Sequence, residues 1–426
     1  MPDVMHDIKL FVEMLLKVMI GKGIDSGDGG WSGWNKDDKH RAESQRRNIF
    51  RDVWPDRDRP LPWRLTPEEI KMLDERMGRV TWPHYVDRQY YEGCSFWIKP
   101  SRLWKTQRKV VLLYYILATQ LRDRLPRLRV ALFTIIWALR RLDGQVYSYT
   151  EAKDRNILPG SRTIDPTTIN VIHTDLIIGL CLLEGCLPVD HLNPGLHHLV
   201  HFAQYTKTHG CLRVLWMMFF ERYNKHIKNL VRDVSNPEAN LGNTVRSDVS
   251  SRYMNLVEKE YDLSKDYHHV CLLSLPDRKF VGLSRKEMSD LRMSGVRVKD
   301  SLSVKAFKIA HIMGIHFRAG EWGQNRCGSV VTAIRGGCSY YARVERFLRI
   351  DNDCSSGYAV VRWFSKPTYT HGLPLVVRVA EDGSVVDYNF TSIIPITDIH
   401  PSRVMVEHDS TPGVFYMMRD SGFDRM

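Results

Sequence analysis

Three histidines fall within five positions in "LHHLVHFAQYTKTHGCLRVLWMMFFERY", residues 196–223, and Glu221 follows twenty positions after the last of them. On a helix His197 and His201 share one face, the geometry that two ligands to one metal ion need, while His198 lies on another side. An H-x-x-x-H pattern without the intervening glutamate of a zinc protease suits equally well two half-buried imidazoles bonded to backbone or water. Glu221 stands at the border of an apolar stripe formed by Leu215, Met218, Tyr223, Ile227 and Leu230. An i,i+4 ion pair with Lys225 accounts for it, and so does a carboxylate that shares a divalent cation with other acids. The second role needs two more carboxylates, because two-metal phosphoryl transfer depends on several acids converging on the ions.

A second set of residues suits phosphate. Cations alternate with aromatic and aliphatic residues in "SRLWKTQRK" (Arg102, Lys105, Arg108, Lys109), in "RDRLPRLRVALFTIIWALRR" (Arg122, Arg124, Arg127, Arg129, Arg140, Arg141) and in "RYNKHIKNLVR" (Arg222, Lys225, Lys228, Arg232). Over residues 102–141 only Asp123 offsets these cations. Such groups neutralise phosphates with a steep salt dependence, or else form a solvated helix face.

The elements that would hold these residues are helical. Apolar residues at helical spacing in "MPDVMHDIKLFVEMLLKVMI" predict an amphipathic first helix, whose apolar face the rest of the chain must cover. Residues 25–63 are rich in Gly, Asp, Arg and Trp and read as a linker. Thr66, Pro67, Glu68 and Glu69 form a well-signalled helix start, and helical patterns follow at 103–123, 126–142, 168–184, 195–207 and 211–232. Residues 236–320 are polar, with helical pieces expected near 284–294 and 300–313.

From residue 321 onward short β-rich runs alternate with glycine, and Leu375 to Tyr388 reads as a hairpin turning at "EDG". The expected fold is therefore α+β, with helical N-terminal two-thirds followed by a small β-barrel or sandwich-like domain at 321–426. The segments are 1–24, 25–63, 64–235, 236–320 and 321–426. Tyr340, Tyr341, Tyr358 and Trp363 in the last of these suit a core more than an aromatic reading surface.

The chain of 426 residues, 43% of them hydrophobic, carries enough apolar material for a real core. A net charge of +12 favours an anionic partner, nucleic acid first. Eight cysteines without a C-x-x-C pair read as reduced and mostly buried, and the longest apolar runs are about half a membrane span. No membrane partner is expected, and the nucleus or cytoplasm is.

"LHHLVHF", "HGCLRVLWMMFFERYNKHIKNLVRDVSNPEANL" and "RLWKTQRKVVLLYYILATQLRDRLP" resemble the C-terminal half of transposases of the CACTA (Enhancer/Suppressor-mutator) superfamily. "DVMHDIKLFVEMLLKVMIGKG" is similar to the D-x-M-H helix of that family, "PWRLTPEEIKMLDERMGRVTWP" to its "T-L-x-x-E-E" segment, and the last third to the β-domain that often trails it. The resemblance covers about four-fifths of the chain, and the pieces keep the family's order. It implies that Asp3 and His6 approach His197 and His201 as a structural or metal-linked cluster. Glu221 then stands for the last acid of a DDE triad that would use Mg²⁺ or Mn²⁺ if a full core were assembled. The family's other two acids precede the D-x-M-H segment, at which this chain begins, and Phe219 replaces its proline. The expectation is a transposase-derived protein that binds DNA or chromatin without an autonomous catalytic triad, with protein partners available to the β-domain. The alternatives are part of an active transposase whose other acids lie upstream, and a non-catalytic interaction scaffold.

Overall fold

The computed structural model describes residues 4–20, 63–81, 97, 106–157, 161–187, 194–215, 270–272, 282–293, 304–313, 315–320, 328–335, 338–350, 357–369, 377–381, 391–402 and 404–419. Helices α1 (Val4–Ile20), α2 (Pro67–Gly78), α3 (Thr106–Val111), α4 (Leu117–Gln120), α5 (Pro126–Leu142), α6 (Tyr149–Asp154), α7 (Ile169–Cys186), α8 (Pro194–Leu199) and α9 (Phe202–His209) build the N-terminal part. A π-helical turn, Leu112–Ile116, joins α3 to α4. The helix α10 (Arg285–Met293) lies among the strands. The fold is α+β, with antiparallel sheets drawn mostly from the C-terminal region.

Local signals explain the helix starts. Thr66 caps α2 by accepting from the Glu69 backbone N–H, while Glu69 accepts from the Thr66 N–H, and Ser148 and Glu151 do the same for α6. Helix α1 has its apolar face covered: Val4, Ile8, Phe11, Val12 and Leu15 are fully buried in the helical core, and α1 packs on α3 and α8. The pattern Ile172, Leu176, Leu180, Leu183 seats α7 against α5. The two helices come close at Gly179, where a Cβ would lie 2.8 Å from Ile135 Cγ1. By length and composition the segment Pro166–Cys186, which includes α7, is apolar enough to cross a membrane; here it is packed on α5.

The strands are β1 (Val80–Thr81), β2 (Val270–Leu272), β3 (Val304–Phe307), β4 (Ile309–Ile312), β5 (Ile315–Arg318), β6 (Val330–Arg335), β7 (Cys338–Ile350), β8 (Gly357–Trp363), β9 (Thr368–Tyr369), β10 (Val377–Ala380), β11 (Ile393–Pro395), β12 (Val404–His408) and β13 (Val414–Arg419). One sheet runs β1-β12-β13-β10-β9, a second β11-β8-β7-β3 with β6 on β7, and a third β2-β4-β5. Strand alternation sets the layering. Met405, Tyr416 and Met418 face the helical core, while Val404, Val406, Phe415 and Met417 face Val330 and Tyr341 of the second sheet. The first sheet thus stands between the helices and the second sheet.

Several expectations are corrected. Among the described residues the strand orders do not close into a barrel. Residues 304–312 form β3 and β4 instead of a helix: Ile309 to Ile312 alternate in burial with period two, and pairing with β2, β5 and β7 overrides the helical spacing of Ala306, Ile309, Ala310 and Met313. The sheets are not confined to the segment after residue 320, because β1 pairs with β12, Val80 opposite Glu407. The hairpin expected at Leu375–Tyr388 lies partly outside the described residues, and both edges of β10 are taken by β9 and β13. The helix expected over 195–207 breaks at Val200–His201, where backbone N–H groups bond three residues back. The cysteines Cys181, Cys186 and Cys211 are free, but only Cys211 of these is buried.

Candidate functional sites

The break between α8 and α9 fixes the histidines. His197 lies in the last turn of α8, His201 caps α9, and their Nε2 atoms stand 3.4 Å apart with both rings exposed. The rings meet edge to face at 5.1 Å between centroids. His198 points the other way, to α1, where its Nδ1 lies 2.9 Å from Asp7 Oδ1. Asp7 and His198 thus tie α1 to the histidine segment. His6 is exposed on α1, and Asp3 and Glu221 lie outside the described residues. Among the described residues no three His, Cys, Asp or Glu side chains gather in metal-binding geometry.

The basic residues divide sharply. Lys109 is 1% exposed and paired with Glu13, and Arg122 is 6% exposed with its Nη1 2.7 Å from Glu407 Oε1. These two are internal, and their ion pairs remove them from any phosphate-binding surface, a correction to the sequence reading. Burial explains it: a cation that close to the core must be paired. Arg129 donates to the Arg122 carbonyl, and Arg124 reaches Met72 Sδ at 3.1 Å and lies 3.9 Å from Glu69. Arg127 is half-buried at the start of α5. Arg102, Lys105, the side chain of Arg108, Lys225, Lys228 and Arg232 lie outside the described residues.

Arg140 and Arg141 end α5 and open onto a cleft of about 500 Å³ between the helices and the sheets. Cations in the last turn also meet the negative end of the helix dipole. Arg155, at the end of α6, adds a third guanidinium, and Trp137, Tyr147, Tyr341 and Tyr369 supply aromatic wall. Arg155 lies over the Tyr147 ring at 4.8 Å, and Arg141 over Trp137 at 5.9 Å. Arg141 also donates to Asp175 Oδ2 at 3.2 Å, tying α5 to α7. Among the described lining residues Asp165 is the one carboxylate, against the three guanidinium groups of Arg140, Arg141 and Arg155. Hydrogen bonds from the Thr167 hydroxyl, then from its backbone N–H, hold Asp165 below the usual carboxylate range.

The floor is set by backbone pairing. Gln145 and Thr163 exchange N–H···O bonds of 2.8 and 3.0 Å, which close the 145–163 loop beside α5. Gly144, at φ +94°, makes the turn out of α5, with Cys211 Cβ 3.0 Å from where its own Cβ would lie. Sequence reasoning found Arg140 and Arg141 and missed Arg155, Tyr147 and Tyr369. No local pattern marks them, because the lining combines residues 137–172 with residues 339–377. Tyr341, Tyr358 and Trp363 are buried, in line with a core role.

Comparison with curated proteins and with solved structures finds no match. Residues 160–266, a stretch that carries α7, the histidine segment and the cleft residues Thr163 to Ile172, match the family model described as a domain of unknown function (DUF4218).

Proposed function

We propose that this chain is a DNA-binding protein of transposon descent, and that the cleft between α5, α6 and the sheets holds phosphates together with an unstacked base. The observation that carries this reading is the convergence of Arg140, Arg141 and Arg155 with Trp137, Tyr147 and Tyr369 in one concave site. Guanidinium groups suit phosphate oxygens, and aromatic faces stack on bases of any identity. A volume of about 500 Å³ lies in the range of single-ligand pockets and is too small for a duplex, so a single-stranded or distorted segment is the fitting ligand. The net charge of +12 adds attraction at longer range. Transposon descent rests on the ordered motifs of the sequence, and the sheets, taken as a sandwich-like module, form the second wall.

The test is binding of fluorescent single-stranded and duplex DNA across a salt series, comparing wild type with Arg140→Glu/Arg155→Glu. Affinity should fall log-linearly with salt, favour the single strand and collapse in the variant. Absence of binding at low salt, or equal binding by the variant, removes the cleft from the account.

A second reading, an interaction scaffold, draws on one observation. Val171, Ile178 and Leu182 are exposed apolar residues along α7, with Val130 exposed on the neighbouring α5. Self-association abolished by Ile178→Lys, with DNA binding absent, would favour it.

A further inference from the structure

We propose that His197 and His201 form a chelate for a divalent transition ion with an open coordination sphere, of the zinc, cobalt, nickel or copper class. The Nε2 atoms are 3.4 Å apart on exposed rings. Two imidazoles bound to one tetrahedral zinc through bonds of about 2.0–2.1 Å place their nitrogens about 3.3–3.4 Å apart, so the pair already has the bite of a bidentate ligand. Imidazole nitrogen selects borderline transition ions, while Mg²⁺ and Ca²⁺ demand oxygen donors.

The backbone supports this arrangement in a way that simple helical spacing does not. His197 belongs to α8 and His201 to the cap of α9, with the helix interrupted between them. Leu199 and Phe202, on either side of the break, are fully buried and anchor both helices in the core. The two rings are thus presented from anchored segments, and an ion bridging them would staple α8 to α9. With no third His, Cys, Asp or Glu gathered there among the described residues, the remaining positions belong to water or an external donor. His198 takes no part, since it faces Asp7. A rival pair exists at His311 and His316, directly opposite on β4 and β5 with centroids 4.9 Å apart.

The experiment is calorimetric titration of the full chain with Zn²⁺, and thermal unfolding with and without it, for wild type, His197→Ala, His201→Gln, His209→Ala and His316→Ala. His209 is exposed at the end of α9 and controls for nonspecific imidazole binding. Wild type should bind saturably and unfold at higher temperature with the ion, because ligand binding to the folded state stabilises it. Loss of His197 or His201 should weaken binding by more than about 100-fold, beyond the 10–100-fold that outer partners of a site cost, and erase the thermal shift. The two controls should bind as wild type, and excess Mg²⁺ should not compete. No saturable binding by wild type, binding retained in both His197→Ala and His201→Gln, or loss in His316→Ala overturns the proposal. Both substituted rings are exposed, and unchanged circular dichroism of the metal-free variants verifies that they fold.

Discussion

Arg122 Nη1 donates to Glu407 Oε1 at 2.7 Å, joining the segment before α5 to strand β12 across 285 positions of sequence, with Glu407 fully buried. The carboxylate also accepts from Gln120 Nε2 at 3.2 Å, and the Arg122 guanidinium lies 3.9 Å above the Tyr416 ring. Arg76 extends the network, donating to the Gln120 carbonyl at 2.8 Å and to Asp123 at 2.6 Å. Burial pushes the Glu407 carboxyl above its ordinary range, opposed by the Arg122 charge. This network locks the helical part onto the sheet.

Removing one partner leaves the other charge buried without its counterion. Glu407→Ala or Arg122→Ala should each cost about 3–5 kcal/mol, whereas the combined Arg122→Met/Glu407→Leu exchange should be near neutral or stabilising. Urea unfolding of the three variants decides it, and equal losses in all three would mean the pair is not isolated as a unit.

His408 carries a pH response. Its Nε2 lies 3.0 Å from Thr81 Oγ1 and its ring meets Phe415 edge on, at 5.1 Å. Burial lowers its pKa below the ordinary imidazole value, with Glu381 opposing. The unfolded chain therefore takes up a proton that the folded one refuses, so stability is fully present above about pH 6.5 and declines as pH falls through the folded-state value. Urea midpoints at about pH 7.5 and about pH 5.5 should differ less in His408→Gln than in wild type.

Two glycines of α7 should respond with opposite sign. At Gly179 a Cβ would meet Ile135 Cγ1 at 2.8 Å and the Ile135 backbone nitrogen at 3.1 Å, so Gly179→Leu should cost about 1–3 kcal/mol by forcing α5 and α7 apart. Nothing lies within 4 Å of a Cβ at Gly185. Gly185→Ala should raise stability by about 0.4–1 kcal/mol, read as a shift in melting temperature.

If phosphates occupy the cleft, Arg155→Ala should weaken DNA binding to all sequences alike and lower the slope of log affinity against log salt by about 1. A variant at the buried Lys109 should instead lose stability, since its partner Glu13 would be stranded. Anisotropy and melting curves separate the two effects.

Local chemistry in the sequence determined the helix start at Thr66, the apolar stripes of α1, α5 and α7, and the valine-rich strands after residue 328, because capping and periodicity depend on residues a few positions apart. It also placed His197 and His201 on one side of their segment, and Arg140 and Arg141 at one helix end. What it could not separate was a buried cation from an exposed one: Arg122 and Arg140 read alike as sequence, yet Arg122 meets Glu407 in the interior and Arg140 opens onto a cleft. The partner that decides each fate lies hundreds of positions away for Arg122 and in a different layer for the cleft. Tertiary structure likewise turned residues 304–312 into strands, since β2, β5 and β7 supply the backbone hydrogen bonds that spacing within the segment cannot. Helical periodicity is a property of one segment, whereas burial, pairing and the assembly of a cleft are properties of segments brought together by folding.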